Sequence, residues 1–344
     1  MKTLLTGFKT EFSDLLLDLL WRQWTALGVT GQVSPWKRTV IDPEALLLTS
    51  CTIARHDPRL FDAILDWLQV NGRYLSVHRL HRMVAEYPFA GGAVYAAVAA
   101  TASNPAQAVK WRGSAKTMKS QAQREEPLFR MADERPLPVI RMPDPVFLAH
   151  GLLRDHYKPR GTAHPFCPEL PANLLLRLRA FLGVSARCEV LAYLLLNESG
   201  SPRAVARACG YYPATVTRAM SEMSDSGYVI SRVQGRHRHY TLLPDSWRAL
   251  LVGRARSSWV TWAPLFSALE QIWEFLHAPG TMEEDGLGQA SALRRVLKSD
   301  VLENIARSGL PVIFGDDQPH SGESLIPFFI ARMRMVLDTI QKLG

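Results

Sequence analysis

The eight residues RVQGRHRH, Arg232 to His239, carry three arginines and two histidines around one glycine. Guanidinium groups grip phosphate and carboxylate oxygens in a bidentate fork, and imidazole gains a charge near pH 6.5. The chemistry on offer is anion capture. Just upstream, YYPATVTRAMSEM has helical spacing. It sorts Tyr212, Thr215, Thr217, Arg218, Ser221 and Glu222 onto a polar side and Val216, Ala219, Met220 and Met223 onto an apolar one. Hydroxyls and a guanidinium at these positions suit hydrogen bonds to base edges and phosphates. From Ser201 to Arg256 nine arginines face only Glu222, Asp225 and Asp245, a surplus of six against +8 for the whole chain. The positive charge is therefore concentrated where a polyanion would be held.

Several elements must position these groups. Ser201 is set to cap a helix that has Pro202 at its first position, with Val205, Ala206 and Cys209 on its apolar face. Gly210 can take the left-handed conformation of a tight inter-helix turn. Tyr211 tucks back, and a second helix starts near Pro213. Two helices precede this pair: LLLRLRAFL, and SARCEVLAYLLLNE with Ser185 as its N-cap. DSGYVISRVQGRHRHYTL then reads as a β-hairpin with Gly235 at the tip. Alternating strand faces would set His237 and His239 apart from Arg236 and Arg238.

With Ala206 in the first helix, Gly210 in the turn and Val216 in the second, the stretch resembles the helix-turn-helix of bacterial transcription regulators. A basic hairpin straight after it is similar to the wing of the MarR, ArsR and GntR groups of winged-helix regulators. The resemblance covers about residues 173–250. It implies a DNA-binding transcriptional regulator with double-stranded DNA as partner. Thr215, Thr217 and Arg218, with Tyr212 and Ser221, would face the bases. Arg232, Arg236, His237, Arg238 and His239 would grip phosphate or the minor groove. Two-fold operators favour a homodimer.

The expected fold is mainly α, a central winged helix-turn-helix (three helices plus a β-hairpin wing) flanked by helical domains at 1–102 and 251–344. Asp42-Pro43 and Asp57-Pro58 each start a helix, and Asn71-Gly72 stops the second. Residues 103–172 form a connection, first basic (Lys110, Arg112, Lys116, Lys119, Arg124) and then proline-rich, with a short helix near Val146–His156. The first twenty residues read as an amphipathic helix, because Glu11, Asp14 and Asp18 interrupt what would otherwise resemble a signal peptide. Eight of the nine tryptophans lie outside the 173–250 stretch, with Trp247 at its edge, and read as core. An aromatic-rich flank could also serve as a dimer face, or hold a protein partner or small apolar effector.

Other chemistries have little support. Four scattered cysteines with no CxxC argue against a zinc site or disulfide framework and suit a cytoplasmic protein. No apolar run reaches the ~20 residues of a membrane span. His78 and His81 sit at helical spacing but read as a solvated face. GDDQPHSGES (315–324) reads as a loop. There is no P-loop, GxSxG or HExxH, so neither cofactor nor metal is expected and no enzyme is indicated. Two other readings are a winged-helix module that assembles with another protein, and a plasmid-type replication initiator with a second winged helix in 42–87. The layout also resembles winged-helix proteins that accompany nucleotidyltransferase toxins, which would make the chain an antitoxin-like autoregulator.

Overall fold

A computed structural model of the chain describes residues 2–102, 110–111, 125–235, 237–243, 247, 258–310 and 322–344. Most of the basic stretch after residue 102, Arg236, and residues 315–321 of GDDQPHSGES lie outside the described residues.

The chain opens with α1 (Lys2–Ala26), α2 (Pro43–Ile53), α3 (Pro58–Asn71), α4 (Val77–Glu86) and α5 (Gly92–Thr101). The expected starts of α2 and α3 are present. The Asp42 carboxylate accepts from the Glu44 and Ala45 N–H groups, and Asp57 accepts from Arg59 and Leu60. Each satisfies two of the amides that a helix N-terminus leaves open. α3 ends at Asn71, yet Gly72 is not left-handed. It has φ −56° and leads into a 3₁₀ turn to Tyr74. α4 leads through residues 88–90 into α5, not into a pair of strands.

The proline-rich segment holds a two-residue parallel pair, β1 (Glu126–Pro127) with β2 (Leu152–Leu153), around α6 (Pro145–Leu148). That helix is one turn, shorter than expected: Pro145 stands at its first position, and the chain turns away at Gly151, which has φ 73°. The segment packs onto the helices. Leu128, Phe147 and Leu152 are fully buried. The Arg154 guanidinium lies 5.1–5.6 Å from the rings of Phe147, Phe129 and Tyr157. Asp66 of α3 accepts from the Tyr157 hydroxyl at 2.5 Å and from the Arg160 and Thr162 amides.

Next come α7 (Leu174–Leu182), α8 (Ala186–Leu196), α9 (Pro202–Cys209) and α10 (Pro213–Asp225). The antiparallel pair β3 (Val229–Gln234) and β4 (His237–Leu242) follows. Ser185 precedes α8 without a side-chain cap bond. α11 (Trp262–His277), α12 (Gly286–Val296), α13 (Leu302–Arg307) and α14 (Leu325–Lys342) close the chain.

Two apolar clusters result. The larger joins α1–α5 and the proline-rich segment to α11–α14, so the first and last parts of the chain share one core. Trp24 meets Trp67 edge to face at 5.1 Å, and Trp36 meets Trp262 at 5.8 Å. Trp111 is fully buried there too. Each such indole removes about 150–250 Å² from water, about 4–6 kcal/mol of transfer free energy at ~25 cal/mol per Å². The smaller cluster belongs to α7–α10 and β3–β4, joined among the described residues by buried Val40 and by Trp259 packing against it. The described residues are mainly helical, and none of their helices is long and apolar enough to cross a membrane.

Candidate nucleic-acid interface

The apolar side of the α9–α10 pair lies where its spacing puts it. Val205, Ala206, Cys209, Val216 and Met220 are essentially inaccessible, Ala219 is buried and Met223 is half-buried. Ser201 caps α9 by accepting from the Ala204 N–H at 3.3 Å. Gly210 takes φ 67°, ψ 39°, and its N–H bonds the Ala206 carbonyl. A side chain at 210 would carry the strain of that left-handed backbone. Tyr211 folds back to place its hydroxyl 3.4 Å from Ser76 Oγ of α4.

The opposite side of α10 is open. Tyr212 is 63% exposed, the Arg218 side chain 79% exposed, and Thr217 is exposed, while Thr215 and Ser221 are half-buried. Thr217 Oγ1 donates to the Pro213 carbonyl at 2.8 Å, so toward a ligand it offers lone pairs and a methyl group. Arg218 Nε is 3.8 Å from Glu222, and Glu222 is held from the other side by Arg187 of α8. Both ion pairs are exposed and therefore weak, and either guanidinium can be recruited by a stronger anion.

The hairpin register pairs Ser231 with Tyr240, Arg232 with His239, Val233 with Arg238 and Gln234 with His237. Val229, Tyr240 and Leu242 point into the small core. Arg232 therefore shares the outer face with His239, and the alternation separates His239 from Arg238 but not from Arg232. Arg232 and Arg238 are exposed and His239 is half-buried. Arg236, assigned the same role, lies outside the described residues. The hairpin is tied to the helices by Gly200, which exchanges two backbone hydrogen bonds with Tyr240, each 3.0 Å. A Cβ on Gly200 would stand 2.4 Å from Val205 and 3.0 Å from the Tyr193 ring, so only glycine allows that approach.

A cleft of about 450 Å³ separates the start of α10 from α4. Tyr212 and Thr215 form one wall, and His78, His81 and Arg82 form the other. The Arg82 guanidinium sits 4.2 Å from the Tyr212 ring centroid. Burial, with a smaller contribution from neighbouring His78, pushes His81 below the ordinary imidazole value. These α4 residues, and Arg187, belong to the same surface but were not among the residues expected from the sequence. The HRLHR run advertises a basic helix face, but only tertiary packing brings it beside α10.

A buried ion network fixes α7–α10 against the large core. Arg179 of α7 donates to Glu44 of α2 at 2.7 and 2.9 Å, to Glu189 of α8 at 2.5 Å and to the Tyr74 carbonyl at 2.8 Å. Arg79 of α4 bonds Asp42 and Glu44, and its Nε donates to the Cys209 carbonyl at 2.8 Å, at the end of α9. Burial raises the Glu44 carboxyl, but Arg179 and Arg79 outweigh it and hold it at about 2. The orientation of the α9–α10 pair is thus set by charges in the N-terminal helices.

No family model, curated protein or solved structure matches the chain.

Proposed function

We propose that α8–α10 with β3–β4 form a winged helix-turn-helix, and that the chain is a double-stranded-DNA-binding regulator acting as a homodimer. The observation that carries this reading is the pairing of two features. The outer side of α10 is left free, with Tyr212, Thr217 and Arg218 exposed. The hairpin that follows presents Arg232 and Arg238, and Gly200 fastens it beside the helix pair. α10 lies in the major groove, where Arg218 reaches a guanine edge and the Thr217 methyl meets a thymine. The hairpin arginines hold phosphates. Across the cleft, Arg82 reaches the phosphates nearest the start of α10. A dimer would place its two α10 helices about 34 Å apart, one turn of duplex.

The replication-initiator reading needs a strand pair after α4, and α5 occupies that place. The assembly-module reading separates from DNA binding by its salt response. Duplex retention by the full chain should weaken steeply as salt rises, with log K falling by about 0.9 per phosphate for each decade of salt. Replacing Arg218, Arg232 and Arg238 together by Ala should weaken retention and flatten that slope by about 1.8, from the two hairpin phosphate contacts. Unchanged retention in the triple variant refutes DNA reading by this face.

A further inference from the structure

Far from the α10 face, three side chains remote in sequence meet. His56 stands in the 3₁₀ turn after α2, Glu134 in the proline-rich segment and His277 at the end of α11. One ligand atom from each lies within 4.8 Å of the other two. His56 Nε2 is 3.2 Å from one Glu134 oxygen, and His277 Nε2 is 3.6 Å from the other. Two ligand atoms bound tetrahedrally at about 2.0–2.2 Å stand about 3.3–3.6 Å apart, so each imidazole nitrogen lies near ligand-to-ligand spacing from one of the two Glu134 oxygens.

Proton counting points the same way. His277 Nδ1 lies 2.8 Å from the Trp273 carbonyl, which can only accept, so the ring proton is on Nδ1. In the neutral ring this tautomer leaves a bare lone pair on Nε2. That lone pair faces a Glu134 carboxylate oxygen, acceptor against acceptor. The hydroxyl nearest to it is Ser13 Oγ at 3.3 Å, but this hydroxyl is also 2.7 Å from the Lys9 carbonyl and has one proton for the two. A neutral imidazole oriented by Nδ1–H···O=C is the arrangement that metal-bound histidines adopt. Glu134 has φ 63°, the one non-glycine with positive φ among the described residues, so the backbone there is held in an unfavourable region.

We propose that His56, Glu134 and His277 bind one divalent transition-metal ion of the zinc class through both Nε2 atoms and a carboxylate oxygen. The fourth position falls to water or Ser13. The ion would join the end of α2, the proline-rich segment and the end of α11, tying the first and last parts of the chain. Lys9 is the competing cation. Its ammonium is 2.9 Å from Glu134 Oε1, and a metal ion would displace it or share the carboxylate with it.

The test is titration of the chelator-treated full chain with Co²⁺, read by its visible ligand-field bands, followed by displacement with Zn²⁺. Expected are one ion per chain and a rise in Tm with Zn²⁺. In Glu134→Gln and His277→Gln affinity should fall beyond the ~10–100-fold that loss of a mere supporting contact costs. Lys9→Met removes no ligand, so it should fold and bind at least as tightly as the wild type. Absence of one-to-one binding in both the wild type and Lys9→Met overturns the proposal, leaving a hydrogen-bonded cluster only. Binding that survives both ligand substitutions unchanged overturns it equally.

Discussion

Arg179→Met tests the docking of α7–α10. Arg179 is fully buried, and it is the cation that Glu189 pairs with while also holding Glu44. Methionine roughly fills the volume but strands those two buried carboxylates with Arg79 alone. Breaking a buried pair by removing one partner costs about 3–5 kcal/mol. An independent figure comes from Glu44, held at about 2 against an ordinary 4.5. That difference corresponds to about 3 kcal/mol of net stabilisation of the carboxylate, after the cost of its burial. The expected loss is therefore about 3–5 kcal/mol, on the order of 10 °C in Tm for a chain of this size. The sign of the pH dependence should also change. In the wild type Glu44 is depressed, so its stabilisation is present above pH 4.5 and fades as pH falls toward 2. Without Arg179 only Arg79 opposes burial at Glu44, so the Glu44 carboxyl is pushed up and the variant should lose stability as pH climbs above 4.5. Adding Glu189→Leu removes one stranded charge and should restore more than half of the loss, since apolar replacement of a buried pair is close to neutral. Urea and thermal unfolding between pH 3 and 8 measure all three species. A loss under about 1 kcal/mol in the single variant, or a double variant no more stable than the single, refutes the argument.

Three further expectations follow from other sites. Burial pushes Glu270 up to about 8, so the wild type should lose stability as pH rises from about 4.5 to 8. Glu270→Gln should abolish that decline and gain a few kcal/mol at pH 8, measured by chemical unfolding. Gly200→Ala drives a methyl into Val205 and Tyr193 and should cost about 1–3 kcal/mol, with faster amide exchange in β4 seen by hydrogen–deuterium exchange. Arg82→Ala should leave unfolding stability within ~0.5 kcal/mol of wild type yet flatten the salt slope of duplex binding by about 0.9. An unchanged slope would place Arg82 outside the DNA interface.

Much of the α9–α10 unit was legible because its causes are local. A capping serine, a glycine forced left-handed and apolar residues at helical spacing fix the two helices, their turn and the face each buries. The same holds for the Asp-Pro starts of α2 and α3. Strand alternation gave the hairpin, although the cross-strand neighbour of His239 proved to be Arg232, since register depends on which residues pair and not on alternation alone.

What the sequence by itself determined is the content of these elements and the concentration of positive charge after residue 200. Tertiary structure alone decided which elements meet. Glu44 and Arg179 are 135 residues apart, and His56 and His277 are 221 apart. Charges buried at such separations carry no periodicity, because their partners lie on other elements. The proline-rich segment packs for a similar reason. Its few aromatic residues have no regular spacing, and only the surface of α3 and the Arg154 guanidinium give them somewhere to bury.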